Sequence, residues 1–191
     1  SDNVKITGPG ADKLSFDAGL RSRIFNVPTI VEQNQEFDLT VGISGLTLKN
    51  GKASQGDGGA INNAGRLTLT GVNITGGKTT NEGGGVFNRG TLTVENSTIS
   101  GSKAIFGGAI ANSGRLFVNA STIEDNGAEF QGGGIHNFGQ GQATVSNSTF
   151  ARNTVGPDLP FDVVNAGKGG GIDNEAGAVT VINSTFVENN A

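Results

Sequence analysis

The stretch GGGIHN at residues 132–137, followed by ATV at 143–145 and NSTF at 147–150, recurs with small changes along most of this chain. Its leading Gly-Gly pair begins at five positions, Gly58, Gly83, Gly107, Gly132 and Gly169. Successive pairs lie about 25 residues apart, except that the last step is longer by about a dozen residues. A fixed period of this size indicates one structural unit per repeat, stacked on its neighbours.

The composition fits a thin structure with a small apolar interior. Of the 191 residues, 34% are hydrophobic and 16% are charged, and there are 33 Gly and no Cys. Disordered chains combine low hydrophobicity with high net charge, which this chain lacks. The formal net charge of −4 argues against nucleic acid or an anionic membrane as a partner. No apolar run approaches the ~18 residues of a transmembrane helix, so we expect no membrane insertion by this segment.

Aligned in columns, the repeats separate into short strands and turns. A β-branched aliphatic residue follows each Gly-Gly pair after one tiny residue, at Ile61, Val86, Ile110, Ile135 and Ile172. One variable position later comes an unbroken asparagine column, Asn63, Asn88, Asn112, Asn137 and Asn174. A glycine follows within two or three residues, at Gly65, Gly90, Gly114, Gly139 and Gly177. An alternating segment such as Leu67-Thr68-Leu69 comes next, and a third segment ends in Ile74, Ile99, Ile123, Phe150 and Phe186.

This pattern predicts an all-β chain, a right-handed parallel β-helix of the pectin-lyase-like kind. We expect about seven coils with three short strands in each, because alternating residues line the inner and outer faces of a strand. The right-handed winding follows from the preferred hand of parallel crossovers. An inward asparagine amide can bond the amides above and below it, so the asparagine column predicts a structural ladder.

The domain prediction is a single β-helix over residues 1–191. Residues 1–50 form degenerate N-terminal coils, since Val41 and Ile43 repeat the spacing of Leu67 and Leu69. Residues 58–191 form the Gly-Gly coils, with a loop insertion at 154–168. Both ends enter and leave the pattern abruptly, which suggests a fragment of a longer repeat protein with coil ends capable of self-association.

The series GGAIxN, xLxV and NSTI resembles the surface β-helix repeats of bacterial polymorphic outer membrane proteins and related large secreted proteins. The resemblance covers nearly the whole chain. It includes two FxxN motifs, from Phe150 to Asn153 and from Phe186 to Asn189. It implies an extracellular or cell-surface location on a bacterium and an adhesive or structural role without catalytic residues.

Polysaccharide lyases and hydrolases share this fold, so a catalytic alternative has to be weighed. The row beside the asparagine column is predicted to face outward and reads Asn62, Phe87, Ala111, His136 and Asp173. His136 and Asp173 fall one rung apart, close enough for the carboxylate to pair with the imidazole as a general base. The sequence offers no second carboxylate beside them, which glycoside hydrolysis needs. A surface ion pair is therefore favoured over a catalytic pair.

The insertion contains Asp158, Phe161 and Asp162, which could contact a ligand or partner. Insertions in repeat proteins gather on one face, often the binding face. The alternative, which we favour, is a loop stiffened by Pro157 and Pro160 and folded over the coils. No cofactor motif or converging metal-ligand set is present, so neither a cofactor nor a metal is predicted.

The sequence therefore favours a non-enzymatic surface module, an adhesive or structural stalk whose partners are glycans or other surface proteins. The alternative is a polysaccharide-binding or polysaccharide-cleaving domain that uses His136, Asp173 and the insertion.

Overall fold

The computed structural model describes residues 3–32, 35–156 and 168–191, and the regular elements in these ranges are β-strands. Apart from one hairpin, the strands pair in parallel and stack into four sheets. We number the sheets 1 to 4 in the order in which a coil passes through them. The expected parallel β-helix of seven coils is confirmed, because sheets 1 and 2 each contain seven strands.

Sheets 1 and 2 hold the two segments that follow the asparagine column. Sheet 1 consists of β1 Asn3–Thr7, β6 Thr40–Ser44, β10 Arg66–Thr70, β14 Thr91–Glu95, β18 Arg115–Asn119, β22 Gln142–Ser146 and β26 Ala178–Ile182. Sheet 2 consists of β2 Ser15–Asp17, β7 Thr47–Lys49, β11 Asn73–Thr75, β15 Thr98–Ser100, β19 Thr122–Glu124, β23 Thr149–Ala151 and β27 Thr185–Val187.

Sheet 4 contains the strands that follow the Gly-Gly pairs in the sequence, and sheet 3 contains the strands that precede those pairs. Sheet 3 consists of β8 Lys52–Ala53, β12 Lys78–Thr79, β16 Lys103–Phe106, β20 Gly127–Gln131 and β24 Thr154–Val155. Sheet 4 consists of β3 Phe25–Val27, β9 Ile61–Asn63, β13 Val86–Asn88, β17 Ile110–Asn112, β21 Ile135–Asn137 and β25 Ile172–Asn174.

Each full coil therefore has four strands, where the sequence predicted three. The fourth strand, in sheet 3, is two to five residues long and has a single buried side chain per coil, such as Ala53 or Ala104. One buried residue produces no alternation along the strand, and alternation is the signal from which strands are predicted. The residues around that position also differ from coil to coil, so the column comparison missed this strand.

The interior is a file of aliphatic side chains in register. Ile61 pairs with Val86, Val86 with Ile110, and Ile110 with Ile135, and all four are fully buried. Leu67 pairs with Val41 and Leu69 with Ile43, so the parallel stacking extends to strands that precede the first Gly-Gly pair. A single coil buries too few apolar side chains to offset its loss of conformational entropy, and stacking supplies the shared core.

Two departures from the regular coil occur in the described chain. An antiparallel hairpin of β4 Thr29–Glu32 and β5 Gln35–Asp38, which the sequence did not predict, leaves the first coil before β6. In the predicted insertion at 154–168, Thr154 and Val155 form β24, and Lys168 bridges to Gln131. The insertion therefore begins after Val155 and ends before Lys168.

The asparagine column forms a hydrogen-bonded ladder on the inner side of sheet 4. Each Nδ2 donates to the Oδ1 of the next asparagine, at 2.7 Å from Asn63 to Asn88, 2.7 Å from Asn88 to Asn112, 2.7 Å from Asn112 to Asn137 and 2.8 Å from Asn137 to Asn174. The ladder begins at Asn63 because the rung before it holds Val27. Among the described residues, the buried Oδ1 of Asn63 finds no hydrogen-bond partner.

The same amides also hold the following turn. Asn112 Nδ2 donates to the Gly114 carbonyl, and Asn137 Nδ2 donates to that of Gly141. The turn glycine of that coil is therefore Gly141, whereas the sequence comparison assigned Gly139. The reason is an extra pair of residues between Asn137 and this glycine, which moves the turn along the chain.

A second ladder, not recognised in the sequence, joins Asn126, which follows Ile123, to the asparagines of the two FxxN motifs. Asn126 Nδ2 donates to Asn153 Oδ1 at 2.9 Å, and Asn153 Nδ2 donates to Asn189 Oδ1 at 2.8 Å. Ser97, Ser121 and Ser148 form a parallel series, in which each backbone N–H donates to the hydroxyl of the next coil's serine. Buried turns thus have their polar groups satisfied by neighbouring coils.

Candidate functional site: the outer row of sheet 4

Among the described residues, the outer row of sheet 4 brings together the ionisable side chains that the sequence suggested, along with several aromatic rings. Its middle residues are in register from coil to coil, Asn62 with Phe87, Phe87 with Ala111, Ala111 with His136 and His136 with Asp173. His136 and Asp173 are thus neighbours on adjacent rungs, as their spacing predicted.

The row was predicted to face solvent, yet its centre is buried. The exposed fractions are 7% for Phe87, 0% for Ala111 and 3% for His136. Aromatic rings from neighbouring positions cover them. Phe106 and Phe130 lie in strands β16 and β20 of sheet 3, and Phe138 directly follows Asn137. The expectation of a surface ion pair is therefore wrong in this respect, because His136 has almost no contact with water.

The imidazole of His136 is packed between two rings. The centroid of Phe138 lies 5.1 Å away with the planes 9° apart, and that of Phe106 lies 5.5 Å away at 31°. Phe106 in turn packs on Phe130 at 5.8 Å, and Phe138 lies 6.4 Å from Phe87. The small side chain of Ala111 leaves the space that these rings occupy. Pairs of this kind contribute about 0.5–1.5 kcal/mol each beyond burial of their area.

Both ring nitrogens of His136 face carboxylates. Nδ1 lies 3.1 Å from Asp173 Oδ2, and Nε2 lies 3.5 Å from Glu175 Oε2. The sequence analysis found no second carboxylate here, and Glu175 corrects that. Its backbone N–H donates to the Asn137 carbonyl, which holds it next to the histidine rung. Glu175 directly follows Asn174 in the column beside the ladder, and the sequence columns give the rung of a residue but not the direction in which its long side chain extends.

The two carboxylates differ in their access to solvent. The side chain of Asp173 is 11% exposed, whereas that of Glu175 is 58% exposed. A general base has to reach the proton that it removes, and both nitrogens of His136 are already directed at acidic groups. Of His136, Asp173 and Glu175, it is therefore Glu175 that a ligand can contact. Asp173 fixes the orientation of the imidazole.

A third acidic side chain lies nearby. Glu82 is bridged through its backbone to Phe106 on the adjacent coil. Burial raises the pKa of Glu82, and the charges of Asp57 and Glu175 raise it further. Asp57 is itself tied down, since its carboxylate accepts from the side-chain amide of Asn81. The outer row thus combines an aromatic patch with carboxylates that repel one another.

The other predicted residues are placed as follows. Asp158, Phe161 and Asp162 of the insertion lie outside the described residues. In the part of the chain that is described, no three His, Cys, Asp or Glu side chains are grouped so that they could hold a metal ion. A helix with the length and apolar character needed to cross a membrane is absent from the described part of the chain.

Comparison with known proteins agrees with the architecture. A family model described as a right-handed β-helix region matches residues 30–191. No curated protein and no solved structure matched the chain. The family match begins within the degenerate N-terminal coils, at the hairpin that precedes β6.

Proposed function

The chain belongs to the right-handed β-helix family, and we propose that it serves as a rigid module at a cell surface, with a structural or adhesive role. The observation that carries this proposal is the continuity of its hydrogen-bonded ladders. The asparagine ladder crosses five successive coils without interruption, from Asn63 to Asn174. Hydrogen-bond chains of this kind strengthen one another and resist local opening, which suits a stalk.

We further propose that the module is bacterial and extracellular, like the polymorphic outer membrane protein repeats that its sequence resembles. Its polar surface, low charge and repeated coils favour a scaffold that presents side chains along a line. Glycans and other surface proteins are the partners that we propose for it.

Surface display tests the adhesive role. The chain, expressed on a non-adherent bacterium, is expected to promote attachment to host cells or to immobilised glycans. Gly108→Ala, which should prevent coil stacking, serves as the misfolded control, and Gly139→Ala serves as the folded one. Attachment that is equal for the wild type and for the Gly108→Ala variant would contradict an adhesive role of the folded module. Failure of antibodies against the chain to label intact cells of its source organism would contradict the surface location.

A second candidate is a polysaccharide-cleaving domain, and the pair of carboxylates around His136 is the observation that favours it. In this role Glu175 acts at the substrate, and Asp173 with His136 positions it. Purified chain is then expected to cleave a polysaccharide, and Glu175→Gln is expected to lower the rate by about 10²-fold. Glu129→Gln, an exposed glutamate in β20, is the matched control. Absence of turnover on a broad panel of acidic and neutral polysaccharides would remove this candidate.

A further inference from the structure

The central outward column of sheet 1 departs from threonine at two places. In register from β6 to β26, this column holds Gly42, Thr68, Thr93, Phe117, Thr144 and Thr180. Four of these six residues are threonine, a residue that suits an exposed strand position. The two exceptions have the smallest and the largest side chains of the column, and three strand spacings separate them.

Phe117 presents an apolar ring to water. Its exposed fraction is 42%, and the other exposed large apolar side chains among the described residues lie in the first or the last coil. The adjacent strands carry Thr93 and Thr144 at this position, so stacking of the coils does not require an aromatic ring there. A single exposed ring is ordinary by itself, and its meaning depends on whether the protein also offers a hollow of matching shape.

Gly42 forms the floor of such a hollow. It does not adopt a positive φ, and an added Cβ would meet no atom within 4 Å. Neither the backbone conformation nor close stacking therefore requires glycine here, although glycine inside a strand weakens it and often marks the close approach of another group. The pocket over this residue has a volume of about 310 Å³ and is lined by Asn3, Lys5, Thr40, Ser44, Thr68 and Thr70.

A two-fold rotation relates the ring to the hollow. Adjacent strands lie about 4.8 Å apart, so Gly42 and Phe117 are about 14 Å apart in the column. An axis that runs along the strands, midway between β10 and β14, exchanges the positions of β6 and β18. Two copies related by this axis lie face to face, and their coils run in opposite directions. Phe117 of each copy then lies over the partner's Gly42, so one surface is complementary to itself.

We propose that the chain forms an antiparallel homodimer through the outer face of sheet 1, in which Phe117 of each copy occupies the hollow over the partner's Gly42. The strands of the two sheets are aligned, which is one of the two usual ways for sheets to pack face to face. The threonines around the hollow present methyl groups to the ring. Two buried rings give the interface an apolar centre, and polar side chains surround them, as in known interfaces.

The charges on this face agree with the antiparallel arrangement. Each charged outward residue of the paired strands is opposite a threonine of the other copy. The pairs are Arg66 with the partner's Thr91, Glu95 with the partner's Thr70, Arg115 with the partner's Thr40 and Lys5 with the partner's Thr144. A two-fold axis along the coils would instead place Lys5 against the partner's Lys5 and leave both hollows empty. Like charges that face each other oppose association, so the antiparallel arrangement is favoured.

The area of the face indicates a weak dimer. Six strands of five residues each, from β1 to β22, cover about 29 Å by 17 Å, or about 500 Å² on each copy. The total of roughly 1,000 Å² is at the lower limit for a specific interface, so we expect a dissociation constant of about 10–100 µM. Pairing does not depend on the proposed surface role, and either proposal can fail while the other stands.

Sedimentation velocity of the full chain, from about 1 µM to about 500 µM, tests the proposal. We expect the mass to rise from that of the monomer to that of the dimer over this range. Phe117→Thr removes the ring and Gly42→Thr fills the hollow, and each is expected to weaken dimerisation at least about tenfold. Both substitutions introduce the residue that other coils carry in this column, so circular dichroism should show that both variants are folded.

The sharpest variant exchanges the ring and the hollow. In Gly42→Phe/Phe117→Gly the two-fold axis still brings a ring to a glycine, so dimerisation should return to within a few-fold of the wild type. Thr180→Ala, in β26 outside the paired strands, is the matched control and should dimerise like the wild type.

Three results would overturn the proposal. The first is a chain that stays monomeric over the whole concentration range. The second is a folded Gly42→Thr variant that dimerises as well as Thr180→Ala does, and the third is an exchange variant that dimerises no better than Gly42→Thr. Growth into assemblies larger than a dimer would contradict the closed two-fold arrangement.

Discussion

The strands of sheet 4 present two adjacent columns of residues with opposite behaviour. The inner column is asparagine in five successive coils, from Asn63 to Asn174. The outer column, one residue earlier, reads Asn62, Phe87, Ala111, His136 and Asp173, with no residue used twice. Each inner asparagine forms a hydrogen bond with the asparagine of the neighbouring coil, so asparagine in one coil favours asparagine at the same position in the next. The outer side chains face no such demand and are free to differ, which is where ligand contacts can arise.

The largest difference in stability between an inner and an outer substitution is expected for two glycines. A Cβ on Gly108 would overlap the backbone of Gly133 and Gly127 in the next coil. Gly108→Ala should therefore cost at least about 4 kcal/mol of unfolding free energy, which is at the severe end for point mutations. A Cβ on Gly139 meets no atom within 4 Å, although its φ is +60°.

Gly139→Ala should accordingly cost only the left-handed backbone strain, about 1–2 kcal/mol. Urea denaturation followed by far-ultraviolet circular dichroism measures both variants. Similar losses for the two variants would show that close coil stacking is not what demands glycine inside.

The next effect compares one residue type on the two sides of the sheet. Asn112→Ala removes an acceptor for Asn88 Nδ2 and a donor to Asn137 Oδ1. Both partners are buried, so the free energy of unfolding should fall by about 3 kcal/mol.

Asn62→Ala is the matched outer substitution, because Asn62 makes a side-chain bond to Asn26 at 3.0 Å near the surface. Its cost should be about 0.5–1 kcal/mol. Denaturation curves for the pair test the comparison directly, and equal losses would contradict a special role for the ladder.

A third test extends the inner column by one rung. Val27 is buried beside Asn63, whose Oδ1 has no partner among the described residues. In Val27→Asn the new amide can donate to that oxygen, so the change in stability should stay within about 1 kcal/mol.

Val41→Asn puts the same residue into the apolar interior of sheet 1, where Val41 is 6% exposed. It should cost about 2–3 kcal/mol, because its amide is buried without partners. Thermal melting of both variants decides the matter, and an equal loss at both sites would show that the ladder cannot be lengthened.

The smallest effect concerns the outer acidic patch and depends on pH. The folded-state pKa of Glu82 is raised above its ordinary value of 4.5, so ionisation of this group opposes folding. The stability associated with protonated Glu82 is present below the ordinary pKa and is lost as the pH rises through the raised one. Glu82→Gln should therefore be more stable than the wild type at neutral pH and equal to it well below pH 4.5.

Glu129→Gln, at an exposed position in the same sheet as Phe106, is the control for removing a negative charge from the chain. Melting temperatures across the acidic range provide the measurement. A stabilisation by Glu82→Gln that is unchanged at low pH would mean that ionisation of Glu82 is not its source.

The inner side of the molecule could be predicted from the sequence because stacking forces neighbouring coils to agree. Ile61, Val86 and Ile110 had to recur at one place, and the period identified them. The outer side could not be predicted in the same way. The rings of Phe106, Phe130 and Phe138 stand at positions where neighbouring coils carry other residue types, and they convert an outward histidine into a buried one.

The same reasoning explains the smaller misses. Glu175 reaches His136 through its long side chain from the position directly after Asn174, and a comparison of columns gives rungs but not side-chain directions. The asparagines of the second ladder recur in the sequence, but their recurrence alone does not show that Asn126, Asn153 and Asn189 form hydrogen bonds with one another. Sheet 3 has too few buried residues to leave a periodic signal.

The amides of the sheet 4 ladder all donate in one direction, from each coil to the one that follows. Every coil therefore offers the same acceptor to its predecessor and the same donor to its successor. A gene segment that encodes one such winding can be duplicated or deleted in frame, and the remaining windings still meet with matching groups. Lengthening or shortening of the protein by whole windings is thus an accessible evolutionary step, and the outer residues of each new copy are free to diverge.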